Sequence, residues 1–144
     1  MTFGPCGQPC TTVMVLVDTS VWIDLLRSND TPAVCRLKQL LDPGLAFVAP
    51  VIVQELLQGA SSERNLQILR DRFIVLPRLE PLPSGSTHAD AGALFARCRW
   101  AGITPRSPHD CLIAQTAIDH EAVLLHDDRD FDRMAEVEPR LHLM

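Results

Sequence analysis

Four acidic positions in this 144-residue chain have the residue types and the spacing to do chemistry together. Asp18 follows five apolar residues, 13–17, without interruption. Glu55 stands alone at the margin of an apolar helical stripe in VIVQELLQGA. Asp110 lies in RSPHDCLIA. Asp127, Asp128, Asp130 and Asp132 crowd into six residues directly after the apolar run 122–125. Each has a local explanation. Asp18 or Thr19 can cap the helix that follows, Ser107 and Asp110 spell a capping box with Pro108 at its first helical position, and one or two of the acids at 127–132 can cap another helix. Glu55 can snorkel from its stripe to water. Capping does not account for all four at once, because each falls at or next to the carboxyl edge of a predicted strand, where open α/β sheets hold their ligands. Clustered carboxylates without a matching His or Cys set select hard cations, Mg²⁺ or Mn²⁺. Such an ion relieves the mutual repulsion of the acids and activates water near neutral pH. His109 and His126 adjoin the acids, but the sequence offers neither an orienting partner, so this chemistry is expected to run without a histidine base.

The elements that must position these acids follow from periodicity and from turn residues. Unalternating apolar runs at 13–17, 45–48, 73–76 and 122–125 predict strands buried on both faces, as in a parallel sheet, and 141–143 predicts an edge strand. Helices are predicted at 20–27, 32–41 (capped by Thr31, opened by Pro32), 50–59, 62–72, 86–101 and 110–120. A short helix is predicted after the acidic loop 127–132. In the 86–101 helix Leu94, Cys98 and Ala101 line one face, with Ala91 and Phe95 beside them. Gly102 closes it. Strands alternating with helices indicate an α/β fold with both sheet faces covered. Residues 13–144 read as one domain and residues 1–12, rich in Gly, Pro and Cys, as a flexible N-terminal extension.

Composition bounds the remaining possibilities. Apolar residues make up 47% and charged residues 22% of the chain, ordinary for a globular domain. No apolar run approaches the ~20 residues of a membrane span, and the N-terminus lacks a basic region followed by a long apolar core, so the expected location is the cytoplasm. The net charge of −5 resides wholly in residues 111–144, where three Arg face eight acids, while residues 1–110 balance at ten of each sign. That argues against non-specific nucleic-acid binding through global charge, but twelve of the thirteen basic residues are Arg, which pairs well with phosphate. Arg106 and Arg99 are the candidates for contact with phosphates, and Thr19 or Ser20 could offer a hydroxyl to a phosphate oxygen or to a water in the site. Cys35, Cys98 and Cys111 fall in helical stretches and are expected to pack as small hydrophobes. Cys6 and Cys10 have no second pair with which to build a metal site.

In order, spacing and local wording, VDTSVWID at 17–24, VIVQELLQGA with its isolated Glu55, RSPHDCLIAQTA at 106–117 and LLHDDRDFDRMA at 124–135 resemble the PIN-domain ribonucleases. Within these they are similar to the VapC-type toxins of bacterial toxin–antitoxin pairs, over about residues 14–144. The resemblance implies a three-layer α/β/α sandwich around a mostly parallel sheet. It implies a divalent-metal-dependent endoribonuclease that cuts structured RNA, such as tRNA or ribosomal RNA loops, and leaves 5′-phosphate and 3′-hydroxyl ends. It also implies a homodimer and a VapB-type antitoxin partner. Asp18, Glu55, Asp110 and Asp128 carry over as metal-binding acids, with Asp130 a fifth. Asp127 stands where the family often has a non-acid, which leaves open which of Asp127 and Asp128 faces the metal.

Trp22, Leu25 and Leu26, with the segment 38–41, exceed what one short helix needs to dock on a sheet, and part of this surface is expected to receive a helical segment of the antitoxin. Two other readings use the same residues. A receiver or dehalogenase-like phosphotransfer domain also places an Asp after its first strand. The dehalogenase pattern, however, wants a second Asp at the position of Ser20, and a receiver wants a late lysine where Lys38 is the chain's only one. A catalytically degenerate domain that only binds a partner would not need all four acids.

Overall fold

The computed structural model describes residues 13–144 throughout. Of residues 1–12 it describes only the backbone of Thr2–Phe3 (β1) and Pro9–Cys10 (β2), which pair antiparallel. The flexible extension expected there, and Cys6 within it, otherwise lie outside the described residues.

Four short parallel strands form the central sheet: β3 (Val15–Val17), β4 (Ala46–Phe47), β5 (Val123–Leu125) and β6 (His142–Leu143), in the order β4-β3-β5-β6. Seven helices flank it among the described residues: α1 (Thr19–Leu26), α2 (Pro32–Leu41), α3 (Pro50–Gln58), α4 (Glu63–Phe73), α5 (Ser86–Trp100), α6 (Pro108–Asp119) and α7 (Arg129–Val137). This is the α/β/α sandwich with a parallel sheet. The residues that build β3 explain its central place: Val15, Leu16 and Val17 are all buried, so the strand needs helices on both faces. Local chemistry sets the helix starts. Thr31 accepts a hydrogen bond from the Val34 amide and Ser62 from the Asn65 amide, while Pro32, Pro50 and Pro108 occupy first-turn positions where their missing N–H costs nothing.

The order of connections decides where a site can form. From β3 the chain runs through α1 and α2 to β4 on one side. From β5 it runs through α7 to β6 on the other. Adjacent strands whose connections leave in opposite directions open a crevice at their carboxyl ends. Asp18 and the acidic turn after Leu125 both emerge into that crevice.

Four expectations are corrected. Residues 73–76 are not a strand. Phe73 is the last residue of α4, buried with Leu69 one turn before it, while Ile74 and Val75 are 57% and 77% exposed. The helical spacing of Leu69 and Phe73, and the edge-to-face packing of Phe73 on Trp22 at 5.1 Å, outweigh the β-propensity of the Ile-Val pair. The chain instead reaches the sheet just beyond Pro77. The Val48 amide donates to the Pro77 carbonyl (3.0 Å) and the Leu79 amide to the Val48 carbonyl (2.9 Å), making a single parallel bridge between Val48 and Arg78. Cys35 is exposed, because α2 buries Ala33, Val34 and Leu37 and Cys35 falls off that stripe; Cys98 and Cys111 are buried. Ala101 is exposed as the C-cap of α5, whose buried face is Thr87, Ala91, Leu94 and Cys98. Trp22 is core rather than surface: it is 2% exposed and its indole N–H donates to the Val17 carbonyl at 3.1 Å.

Trp22→Ala therefore removes a buried ring together with the N–H donor that satisfies the Val17 carbonyl, and is expected to cost about 3–5 kcal/mol in a denaturant melt. Val75→Asp, in contrast, is expected to stay within about 0.5 kcal/mol of wild type. A large loss at Val75 would restore the strand.

Candidate metal centre

Asp18 ends β3 and begins α1. Its backbone N–H donates to the Leu125 carbonyl (2.9 Å), tying it to the end of β5. The residue is 4% exposed, and its Oδ2 accepts from both the amide (3.1 Å) and the hydroxyl (2.6 Å) of Ser20. Capping and clustering thus coincide in one side chain. Thr19 turns the other way, and its Oγ1 donates to Glu55 Oε1 at 3.2 Å, which joins α1 to the half-buried Glu55 of α3. Both hydroxyls are engaged by carboxylates here, so their contact with a phosphate oxygen would require them to rotate away from these acceptors.

Asp110 is the third residue of α6. The capping box does not form: Ser107 Oγ accepts from the His109 amide (3.2 Å), and the Asp110 carboxylate makes no hydrogen bond among the described residues. It faces the other acids instead. Oxygens of Asp110, Asp128 and Asp130 lie within 4.8 Å of one another. Asp128 caps α7, its Oδ1 accepting from the Asp130 amide at 3.0 Å. Asp130, 8% exposed, is inside the first turn of α7 rather than in the loop assigned to it from the sequence. Asp127 is exposed and is not one of the three acids of this group.

The electrostatics are those of a cluster with more carboxylates than cations: Arg106 pairs with Asp128 and Asp130, while Asp18, Glu55 and Asp110 make no ion pair among the described residues. Burial raises the Asp18 carboxyl above its ordinary range; the two Ser20 hydrogen bonds oppose this, and Asp128 adds to it. Glu55 is raised, again chiefly by burial and then by Asp18, with the Thr19 hydrogen bond and His109 pulling the other way. Asp110 is pushed up to about 7 by burial and by the charges of Asp18, Asp128, Glu55 and Asp130. These mutual effects join Asp18, Glu55, Asp110, Asp128 and Asp130 in one electrostatic group at the β3–β5 crevice.

Two residues behave differently from expectation. Arg106 points its guanidinium at the acids: Nη2 is 2.9 Å from Asp128 Oδ1, Nε is 3.3 Å from Asp130 Oδ2, and its backbone amide donates to the same oxygen at 3.1 Å. His126 does have orienting partners. The Asp128 amide donates to its Nδ1 (3.1 Å), which leaves Nε2 to carry the proton, 3.4 Å from Asp132 Oδ1, and its ring packs against Phe131. It braces the turn that presents Asp128. The signal in the sequence was a histidine two residues before the capping acid, and it is weak because the contact depends on the turn's conformation. Arg99 is exposed and makes no ion pair among the described residues, whereas Arg97 pairs with Glu138 at 3.3 Å.

The donors offered by the group are all carboxylate oxygens, at least three close together, with an excess of negative charge. That set fits a hard divalent cation and no soft one.

A family model for the PIN domain matches residues 15–137. The chain is 36% identical to VapC ribonuclease Mb1587 of Mycobacterium bovis over 126 residues, 86% of this chain and 93% of that protein. The same identity and coverage hold for Ribonuclease VapC11 of Mycobacterium tuberculosis. The crystal structure of VapBC2 from Rickettsia felis, bound to a DNA fragment from its promoter, is similar in fold. Its TM-score is 0.70 at 20% identity, covering 92% of this chain and 98% of that one.

A carboxyl whose pKa is raised by folding holds its proton more tightly in the folded state. The Asp110 contribution to stability is therefore greatest below 3.8, falls as pH rises toward about 7, and stays at its least favourable above that. In chelator, Asp110→Asn is expected to melt higher than wild type above about pH 7, with the gain shrinking as pH falls toward about 4. A pH-independent difference would place Asp110 outside the cluster.

Proposed function

The chain belongs to the PIN-domain family, and on that premise we propose that its acid cluster hydrolyses RNA phosphodiester bonds with the help of a divalent cation. It is a VapC-type endoribonuclease, the toxin of a toxin–antitoxin pair. The observation that carries the chemistry is the convergence of Asp110, Asp128 and Asp130 within 4.8 Å, with Asp18 and Glu55 coupled to them. Asp18, Glu55, Asp110, Asp128 and Asp130 are the residues proposed to hold the cation, Mg²⁺ or Mn²⁺. When bound, it would supply an activated water near neutral pH and neutralise charge on the phosphodiester. The protein's own contribution is position. Ser20 fixes Asp18, Thr19 fixes Glu55, the α7 cap and His126 fix Asp128, and Arg106 fixes Asp130, so these four carboxylates are ordered before substrate arrives.

The antitoxin partner has a fitting surface. A cavity of about 210 Å³ lies among α1, α3 and α4, lined by Ile23, Leu26, Leu56 and Leu69, with Glu55 also in its wall. Leu26, 39% exposed, stays within the surface proposed for an antitoxin helix, while the buried Trp22 leaves it. The groove between α5 and α6, about 470 Å³ and lined by Ala91, Phe95 and Leu112, is the face we assign to the homodimer. The cytoplasm is the compartment in which such a toxin would meet its RNA. No helix among the described residues is long and apolar enough to cross a membrane.

On a total RNA pool in Mg²⁺, wild type is expected to cleave, and EDTA to stop it. Asp18→Asn and Asp110→Asn are expected to lose cleavage by at least about a hundredfold while keeping the wild-type circular dichroism spectrum. Either variant cutting at the wild-type rate, or undiminished cleavage in EDTA, overturns the mechanism.

A further inference from the structure

A second cleft, about 440 Å³, adjoins the acid cluster and is lined by Thr104, by Arg106, Arg129 and Arg133, and by Asp127, Asp128 and Asp130. Arg129 and Arg133 stand four residues apart on α7, so their side chains share one face of the helix. Both are exposed, and among the described residues neither makes an ion pair, whereas Arg106 is held by Asp128 and Asp130 at 2.9 and 3.3 Å. Arg106 thus stands where the acids end and the cleft begins. With three guanidinium groups against three carboxylates the cleft is balanced in the free protein and has little attraction for a polyanion. Two of those carboxylates, however, also belong to the triad with Asp110. A divalent cation held by the triad offsets two of its three negative charges, which weakens the pull of Asp128 and Asp130 on the arginines and tips the cleft toward net positive charge. The lining has no aromatic side chain on which a base could stack, while guanidinium forks match phosphate oxygens.

We propose that this cleft is a phosphate subsite for the RNA strand flanking the cleaved bond, anchored by Arg129 and Arg133, and that it attracts RNA only when a cation occupies the neighbouring acids. This rests on the ribonuclease reading and adds two arginines that sequence spacing did not single out, because their relevance depends on which way α7 faces.

The test is binding of a fluorescein-labelled phosphorothioate RNA, which keeps its backbone charge and resists hydrolysis, by fluorescence anisotropy across a salt series. In Mg²⁺, the Arg129→Ala/Arg133→Ala protein is expected to bind several-fold more weakly than wild type. Its log–log salt slope should be shallower by about 0.7 for each lost phosphate contact. Mn²⁺ affinity by calorimetry should be nearly unchanged, since among the described residues neither arginine makes an ion pair with the triad, and that readout separates loss of the subsite from damage to the acids. In EDTA, wild type should fall toward the affinity of the double variant. An unchanged salt slope in the variant, or equal wild-type affinity in Mg²⁺ and EDTA, overturns the subsite while leaving cleavage of ordinary RNA by wild type intact. Absence of both binding and cleavage by wild type overturns the ribonuclease reading itself.

Discussion

The site depends on one backbone interaction, the pairing of β3 with β5. Val17 stands opposite Leu125 in parallel register, and the Asp18 amide extends the ladder by one more bond to the Leu125 carbonyl. Parallel strands end on the same side of a sheet, so this register delivers the residue after β3 and the turn after β5 to the same edge. A shift of one residue would turn Asp18 to the opposite face, because side chains alternate along a strand. The buried Val-Leu-Val of β3 resists such a shift, since it is covered on both sides. Asp110 and Glu55 then need only arrive on helices that pack against this edge, and α3 and α6 do so through Ile52, Leu56, Ile113 and Ala114.

Assembling five carboxylates there carries an electrostatic cost that the protein meets locally. Each ordered acid has a donor: Ser20 for Asp18, Thr19 for Glu55, the α7 amide for Asp128, Arg106 for Asp130. Asp110 has none, and it is the one displaced furthest, to about 7. The repulsion that remains is the free energy a divalent cation can relieve, and it explains why ordering the acids and binding the ion are the same problem. The helix caps contribute to both: an Asp at an N-cap satisfies an orphan amide and places its carboxylate at the positive end of the helix, so Asp18 and Asp128 are held by the same bonds that begin α1 and α7.

Much of the fold was legible because its punctuation is local. Thr31-Pro32, Ser62 and Pro50 mark helix starts within a residue of where they fall, and the unalternating runs at 13–17 and 122–125 read as buried strands, which the structure shortens to 15–17 and 123–125. The failures also have a common cause. The Ile-Val pair at 74–75 looks like a strand until Phe73 is seen against Trp22. Trp22 looks like a docking residue until its indole is seen bonded to Val17. In both cases a contact of the folded chain, invisible in sequence, decided the burial: Phe73 meets Trp22 from a distant helix, and the Trp22 indole folds back onto the strand just before its own helix.

For the site, the sequence by itself determined the inventory: four acidic positions beside apolar runs, a donor chemistry suited to a hard cation, and the hydroxyls next to the first acid. Only the tertiary structure decided the geometry within that inventory. It set Asp128 and Asp130 beside Asp110 and left Asp127 outside, turned Asp110 away from the capping box, and put Arg106 on the acids. Residue type and local periodicity fix which groups can ionise, cap or be buried. Which of them meet depends on strand register and helix orientation, set by core contacts between residues up to a hundred or so positions apart, such as Val17 and Leu125.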